Sequence, residues 1–168
     1  MKKDVFLYIL IVFLLIIIAV FLFRFSGARE LDDITPGIPC ESSLMQKSDV
    51  LWVIPLFDNK SIAENKTWCK EILSLNKTIG MHGVYHKYKE LDINRDKEYI
   101  KLGMTEFEKC FGFKPKIFKP SHLAINRHNK KLIANEGMIL KGEINQRLHK
   151  VYHCNDTGRF SNWFISTF

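Results

Sequence analysis

The sequence predicts an α/β domain with a parallel sheet or barrel, preceded by one apolar helix at the amino terminus. Two observations carry this prediction. After residue 28, segments rich in β-branched and aromatic residues alternate with segments of helical periodicity, which is typical of parallel strands joined by helices. Before that point the run Val5–Phe23 contains no charged residue, glycine or proline. A chain of 168 residues has room for one domain with a substantial core.

The apolar run is the first element. It is 19 residues long, and at about 1.5 Å per helical residue it nearly spans the roughly 30 Å of a bilayer core. A cleaved signal peptide has a shorter core, of about 7–15 residues, although the sequence FSGA beyond the run leaves cleavage open. We predict a cytoplasmic tail at 1–4, a single-pass anchor at 5–23 and one domain over 28–168. Lys2 and Lys3 favour placing that domain outside the cytoplasm.

The strands and helices of the domain follow from local residue patterns. Strands are predicted at ARELDDI (28–34), DVLWVIPLF (49–57), KTIGMHG (77–83), KIFKP (116–120), MIL (138–140) and RLHKVYHC (147–154). Helices are predicted over Ser61–Leu75, Arg95–Cys110 and Asn126–Asn135. Ser61 and Glu64 have the spacing of a capping box at the start of the first helix, and Gly112 ends the second.

Charge and cysteines narrow the functional classes. The net charge is +7, but the lysines are scattered and no stripe of base-reading or stacking residues accompanies them, so we expect no nucleic-acid partner. The charge fits a solvated surface, or attraction to anionic lipid or an acidic wall. Cys40, Cys69, Cys110 and Cys154 allow two disulfides in three connectivities or four buried thiols, and none has the CxxC spacing of a zinc site.

Four tripeptides fit the N-glycosylation acceptor pattern, which is consistent with a domain outside the cytoplasm. They begin at Asn59, Asn65, Asn76 and Asn155. Some matches are expected by chance in a chain rich in asparagine and lysine, so the pattern supports the orientation without deciding it.

Chemistry-bearing residues cluster at the predicted strand ends. They are Asp32 and Asp33, His82 and His86, Lys119 and Pro120, and His153. In parallel α/β folds ligands gather at the carboxyl ends of the strands, so we expect these side chains to meet. Taken singly, the acids fit a solvated turn or a helix cap, and the histidines fit two side chains on one helix face. Their convergence at one edge favours a site.

An Asp-His-His set has the donors of a catalytic zinc site, and iron or cobalt would fit the same donors. Such a metal lowers the pKa of bound water and polarises a carbonyl group, while a neighbouring carboxylate can take the water's proton. Hydrolysis of an amide or ester also requires an acid for the leaving group. We predict His153 for that role, with His122 and His149 as alternatives.

Four stretches resemble, in order and spacing, the motifs of the polysaccharide deacetylase family, carbohydrate esterase family four and its predicted-deacetylase relatives. They are ELDDITP, VLWVIPLFD, IGMHGVYH and FKPSHLAINRHNKKLIANEGM, and the resemblance covers about residues 28–142. It implies a deformed (β/α) barrel, left incomplete because the chain ends at Phe168. It also implies metal-dependent removal of acetyl groups from an N-acetylated glycan of the cell surface or wall.

The resemblance assigns roles by position. Asp32 resembles the general base, and Asp33, His82 and His86 resemble the metal ligands. Lys119 and Pro120 stand where the family has an Arg-Pro element that flanks the substrate groove and orients the base. The closing strand LHKVYH resembles the one that ends in the catalytic histidine, here His153.

Two departures from the family's motifs keep a second function open. Gly83 replaces a Ser or Thr whose hydroxyl could brace the histidine loop, and Lys119 replaces a planar arginine with a point charge. The alternative function is a catalytically degenerate, membrane-anchored domain that binds a glycan or a partner. A third interpretation is an anchored α/β domain whose histidine pair is incidental.

Overall fold

The computed structural model describes residues 2–167, and the domain within them is built on one sheet of parallel strands. The strands are β1 (Arg29–Ile34), β2 (Val50–Val53), β3 (Thr78–His82), β4 (Ile117–Lys119), β5 (Ile139–Leu140) and β6 (Lys150–His153). The helices are α1 (Lys2–Ser26), α2 (Ser42–Lys47), α3 (Lys66–Ser74), α4 (Lys97–Phe111), α5 (Arg127–Asn135), α6 (Glu143–Leu148) and α7 (Asn162–Thr167).

The sheet has the strand order of an opened barrel. Its order is β5-β4-β3-β2-β1-β6, so the first five strands lie side by side in sequence and the last pairs with the first. All five pairings are parallel. Within residues 2–167, β5 and β6 are the two edge strands and do not pair with each other, so the sheet does not close. The predicted α/β class and the incomplete barrel are therefore confirmed.

The central strands are buried on both faces, which explains their continuous apolar sequences. Leu51, Val53, Met81 and Phe118 are each fully buried. Gly80 is required by close packing, because a Cβ atom there would lie 2.3 Å from the ring of Trp52. This dense centre fixes the strand ends that carry the polar residues.

Two element boundaries differ from the sequence predictions. The helix predicted over Ser61–Leu75 is divided, because the Ser61 hydroxyl caps a short 3₁₀ turn and the Asn65 side chain then caps α3. The strand predicted at 147–154 is shorter, since Arg147 and Leu148 end α6 and only residues 150–153 pair with β1. In both cases a local cap or turn interrupts a pattern that is continuous in the sequence.

All four cysteines are paired, so the disulfide alternative is correct and the thiol alternative is not. Cys69–Cys110 joins α3 to α4, and Cys40–Cys154 joins the segment after β1 to the segment after β6. The second bond lies one residue beyond His153 and closes 114 residues of sequence separation. It therefore ties the edge strand β6 to the centre of the sheet.

The helix α1 stands apart in composition. Its segment Val5–Ser26 has a mean hydropathy of 3.5, none of the hydrophobic window is buried, and its length and composition suffice to cross a membrane. It contains the predicted anchor at 5–23. Of the predicted tail at 1–4, Met1 lies outside the described residues, as does Phe168 at the end of the predicted domain. Helix α1 begins at Lys2.

Candidate metal and acid–base centre

The carboxyl ends of the strands border one cleft of about 900 Å³. The parallel register brings distant residues level with one another, since Asp32 pairs with His153 and His82 pairs with Lys119. The polar residues that line the cleft include Asp32, Asp33, His82, His86, His122, His153 and Thr157, with Pro120 beside them. Of the seven predicted site residues, six line this cleft and Lys119 does not.

Both acids face the cleft because the backbone turns between them. Asp33 has a positive φ of 65°, a left-handed conformation that aspartate tolerates better than most residues. In a regular strand, adjacent side chains would point to opposite faces. The turn instead leaves Asp32 and Asp33 both almost fully buried at the base of the same cleft.

Asp33, His82 and His86 converge on one point. Oδ1 of Asp33 lies 3.0 Å from Nε2 of His86 and 3.5 Å from Nε2 of His82. The three potential ligand atoms all lie within 4.8 Å of one another. Nδ1 of His82 lies 3.1 Å from the carbonyl oxygen of Lys119, which can only accept a hydrogen bond. Nδ1 therefore donates, and in the neutral form of the ring the lone pair lies on Nε2, which faces Asp33.

The charges of this cluster reinforce one another. Burial alone would raise the pKa of Asp33, but the contacts with His82 and His86 outweigh it and hold that pKa well below its usual range. Burial would likewise lower the pKa of His82, yet its contacts with Asp33 and the charge of Asp32 raise it above the ordinary value. The cluster thus favours an ionised carboxylate facing positive charge.

One oxygen of Asp33 has a hydrogen-bond partner and the other has none. Oδ2 accepts a hydrogen bond from the Thr157 hydroxyl at 2.9 Å. Oδ1 is buried and accepts no well-aligned hydrogen bond from any side chain in residues 2–167, although both imidazoles lie close. In the sequence, Thr157 was notable only as the third residue of an acceptor tripeptide, and nothing there indicated its contact with Asp33.

His86 belongs to a loop, so the helix-face interpretation of the histidine pair does not apply. His82 ends β3, whereas His86 lies in the segment between β3 and α4 and has a positive φ of 59°. The two imidazole centroids are 4.9 Å apart. The four-residue spacing is met by a turned loop instead of one turn of helix.

Asp32 is held by a buried ion pair. Its Oδ1 accepts a hydrogen bond from Nζ of Lys119 at 2.8 Å, while its Oδ2 lies 3.6 Å from Nε2 of His153 and 4.0 Å from Nε2 of His82. Lys119 is fully buried. Lys119 and Pro120 are predicted to flank the groove and to orient the base. The ammonium of Lys119 lies beneath the carboxylates and donates to Asp32, as the second part of that prediction expects, while only Pro120 lines the cleft.

Glu30 completes the charge balance below the cleft, and sequence reasoning missed it. It is almost fully buried and accepts hydrogen bonds from Trp52 at 2.7 Å and from Lys119 at 3.2 Å. Its other oxygen lies 2.5 Å from Nδ1 of His149. A buried ammonium between two carboxylates satisfies charges that would otherwise be costly to bury. In the sequence, the only indication of this role is that Glu30 is an acidic residue within a predicted strand.

His153 reaches the cleft from the edge strand. Its main chain is fixed twice by Asn162, which accepts from the His153 amide at 2.9 Å and donates to its carbonyl at 2.7 Å. Its ring packs on Gly158, where a Cβ atom would lie 2.4 Å from Nδ1. Nδ1 is buried and has no hydrogen-bond partner among residues 2–167.

The two alternative acids occupy different places. His149 is bound to Glu30 and is not among the residues lining the cleft. His122 does line the cleft, with its ring centroid 5.2 Å from that of His86. Burial and the neighbouring charges of His86 and His82 lower the pKa of His122. Among the alternatives, only His122 therefore stands beside the candidate centre.

The residues present fit a divalent cation. Two imidazole nitrogens and one carboxylate oxygen converge, and Asp33 Oδ1 is buried without a hydrogen bond of its own in residues 2–167. Nitrogen and oxygen donors of this kind suit zinc, iron or cobalt. His82 is held through its other nitrogen by a carbonyl group, as ligating histidines generally are.

No protein-family model and no curated protein matches the chain. Similar solved structures include a CE4 family pseudoenzyme from Bacillus anthracis, at 16% identity over 54% of this chain and 31% of that one, with a TM-score of 0.47. A polysaccharide deacetylase from Bacillus cereus is similar at 17% identity over 54% of this chain and 44% of that one, with a TM-score of 0.43.

A deacetylase solved with substrate is similar at 20% identity over 62% of this chain and 53% of that one, with a TM-score of 0.44. This chain thus spans about a third to a half of the length of these solved structures. These neighbours are polysaccharide deacetylases and related pseudoenzymes. Because the sequence identities and TM-scores are low, the candidate site is inferred from the positions of this chain's own side chains.

Proposed function

We propose that this protein is a membrane-anchored, metal-dependent hydrolase that removes acetyl groups from N-acetylated sugars of a cell-surface or wall polysaccharide. One observation carries the proposal. Asp33, His82 and His86 converge on a single buried point, and Asp32 and His153 stand beside it in the same cleft. The resemblance of the sequence motifs to those of polysaccharide deacetylases supports the same reaction.

Asp33, His82 and His86 would hold the cation, which we propose is zinc, with iron or cobalt as alternatives. A bound divalent cation supplies Lewis acidity, which lowers the pKa of water and polarises the acyl carbonyl. The carboxylate of Asp33 and the Nε2 lone pairs of the two imidazoles supply the donors for it.

Asp32 acts as the general base in this proposal. Lys119 holds Oδ1, so the orientation of the carboxylate is fixed and Oδ2 is left to face the cleft. Oδ2 lies between His82 and His153, 4.0 and 3.6 Å from their Nε2 atoms. A proton taken up at Oδ2 is therefore next to the ring that must deliver a proton to the leaving group.

His153 acts as the general acid. Its Nε2 faces Asp32, and its main chain is fixed by Asn162. In the proposed reaction Nε2 protonates the nitrogen of the sugar as the carbon–nitrogen bond breaks, which releases a neutral amine and acetate. Pro120 and His122 also line the cleft in which the sugar would bind.

The proposed location follows from α1 and the disulfides. The apolar helix is long enough to cross a membrane, and two disulfides are typical of oxidising compartments. Only Gly27 and Ala28 separate α1 from β1, and Arg24 of the helix lines the cleft. A substrate would thus be processed close to the outer face of the membrane.

A second candidate function is a catalytically degenerate domain that binds a glycan or a partner. One observation favours it: Nδ1 of His153 has no hydrogen-bond partner within residues 2–167 to orient the ring as an acid. The hydrolase and the binding domain would use the same cleft, so only a measurement of catalytic turnover distinguishes them.

Acetate release by the full-length chain in detergent, with added zinc or cobalt and an N-acetylated chito-oligosaccharide, tests the proposal. We expect Asp32→Asn to lower the rate by roughly 10²–10⁴-fold with metal content unchanged, the usual contribution of a general base. His82→Ala should lose both activity and metal. Metal binding without acetate release by the wild type would favour the binding function. A wild type that neither binds metal nor releases acetate would contradict the proposed hydrolase.

A further inference from the structure

The carboxylate of Glu90 is buried and fully engaged in hydrogen bonds. Glu90 is only 2% exposed. Oε1 accepts from the amide of Val84 at 2.9 Å and from the Ser121 hydroxyl at 3.0 Å. Oε2 accepts from the amide of Tyr85 at 3.0 Å and from the Tyr99 hydroxyl at 2.8 Å. Four donors on two oxygens are the pattern of an ionised carboxylate.

The partners of Glu90 lie in and around the histidine loop. Val84 and Tyr85 are two of the three residues between the histidines, and Glu90 accepts hydrogen bonds from their amides. The hydroxyls of Ser121 and Tyr99 come from the segment after β4 and from α4. One side chain thus ties the loop to two neighbouring parts of the fold.

The protonation state of Tyr99 suits this arrangement. Burial and the negative charge of Glu90 raise the pKa of the Tyr99 hydroxyl above its usual range. The hydroxyl is therefore protonated at neutral pH and can donate to Glu90. Arg95 further fixes the main chain of Glu90 by donating from Nε to its carbonyl oxygen at 2.8 Å.

Gly83 and Glu90 fit together. Gly83 has a positive φ of 62°, and a Cβ atom on it would lie 2.0 Å from Oε1 of Glu90. The carboxylate therefore occupies the space that any larger residue at position 83 would require. Glycine allows both the left-handed turn after His82 and the close approach of the carboxylate.

We propose that Glu90 is a positioning residue, whose carboxylate holds the loop in the geometry that points both imidazoles at Asp33. This inference rests on the proposed metal site. At the end of this stretch His86 adopts a left-handed conformation with φ 59° and lies only partly buried. Hydrogen bonds to the two preceding amides compensate for the strain and keep its ring next to that of His82.

Zinc titration calorimetry on the full-length chain in detergent tests the role of Glu90. Gln retains the shape of Glu but presents an amide nitrogen to two of the four donors. We expect Glu90→Gln to raise the zinc Kd by roughly 10–100-fold, as outer-shell changes at metal sites generally do. Glu106→Gln is the matched control, because Glu106 is also a buried carboxylate but binds Ser61 and Lys109 away from the cleft.

Two further measurements separate positioning from general stability. The visible spectrum of the cobalt-loaded protein reports ligand geometry, and it should change in Glu90→Gln and not in Glu106→Gln. Amide hydrogen exchange of Val84 and Tyr85 in the metal-free protein should accelerate in Glu90→Gln alone. Equal zinc affinity in Glu90→Gln and wild type, or an equal loss in Glu106→Gln, would overturn the proposal.

The failure of the metal site itself is distinguishable from the failure of this proposal. If the wild type binds neither zinc nor cobalt, the proposed function is wrong, and the exchange experiment alone decides the role of Glu90. Faster exchange confined to Glu90→Gln would then retain its role in holding the loop. Unchanged exchange would refute that role as well.

Discussion

The two halves of the candidate centre share one cleft but are anchored differently. The metal half, Asp33 with His82 and His86, stands on the central strands β1 and β3 and their loop. Its supports lie nearby: the carbonyl of Lys119 fixes His82, and Glu90 holds the loop. This half is built from the most densely packed part of the sheet.

The proton-transfer half spans the centre and the edge of the sheet. Asp32 is fixed by Lys119 in the core, whereas His153 comes from the edge strand β6 and has no partner for Nδ1 within residues 2–167. The Cys40–Cys154 bond and Asn162 supply the remaining support. Because the two halves are anchored differently, we expect some substitutions to affect the proposed acid His153 more than the proposed metal ligands.

The largest effect is expected from Lys119→Met. This change removes the ammonium between Glu30 and Asp32 but keeps the backbone carbonyl that His82 contacts. Two buried carboxylates without their counter-charge should lower the free energy of unfolding by roughly 3–5 kcal/mol. Urea unfolding of the full-length chain in detergent measures the loss, and activity should fall because Asp32 is no longer oriented.

Lys119→Met also tests whether the metal half and the proton-transfer half are independent of each other. Under conditions where the variant is folded, we expect it to bind zinc with an affinity close to that of wild type. Lys116→Met is the control, because Lys116 is exposed beside the same strand and its replacement should change stability by less than about 0.5 kcal/mol. Loss of zinc from folded Lys119→Met would show that the halves are not independent.

The next effect concerns the disulfide beside His153. Replacing Cys40 and Cys154 together by alanine should lower stability by roughly 2–5 kcal/mol, and it should free the segment after β6. We expect activity to fall more than zinc affinity, since the acid His153 adjoins that segment, whereas of the proposed metal ligands only Asp33 contacts it, through the Thr157 hydroxyl. Acetate release and zinc titration on the same preparation measure the two.

The other disulfide provides the comparison. Replacing Cys69 and Cys110 together by alanine should also cost stability, because it frees α3 from α4. At temperatures where this variant is folded, the ratio of its activity to its zinc affinity should equal that of wild type. Equal effects of the two double variants on that ratio would contradict a special dependence of His153 on the first bond.

The fold and the convergence of Asp33 with His82 and His86 could be predicted from the sequence because their signals are local. Apolar runs gave the central strands, and the positions of Asp33 and His82 at strand ends placed them at one edge. The burial of Lys119 was not accessible, since its partner Glu30 is 89 residues away in sequence and the pair forms only when β1 and β4 are in place. Glu90 was missed for a related reason, because its partners are two backbone amides and two hydroxyls that the fold brings together around it.

A smaller effect is expected from Gly158→Ala. The added Cβ atom would lie 2.4 Å from Nδ1 of His153, so the ring must move. Such overpacking costs about 1–3 kcal/mol and should reduce acetate release by displacing the acid from Asp32. Zinc affinity should remain that of wild type. If activity is also unchanged, the observed position of His153 is not the one that matters for catalysis, and the binding function gains support.

The smallest effect concerns a carboxylate in neither half. Burial would raise the pKa of Glu106, but hydrogen bonds from Lys109 and Ser61 outweigh it and lower that pKa below the ordinary value of 4.5. The stabilising contribution is therefore present above about pH 4.5 and is lost as pH falls through the lowered folded pKa. Because Lys109 is largely exposed, Glu106→Gln should lower the free energy of unfolding by less than about 1 kcal/mol at neutral pH.

The unfolding curves of wild type and Glu106→Gln should converge at low pH, and the zinc affinity of the variant should equal that of wild type at neutral pH. A zinc defect in Glu106→Gln would mean that stability remote from the cleft controls the metal half, which would remove the contrast between the halves.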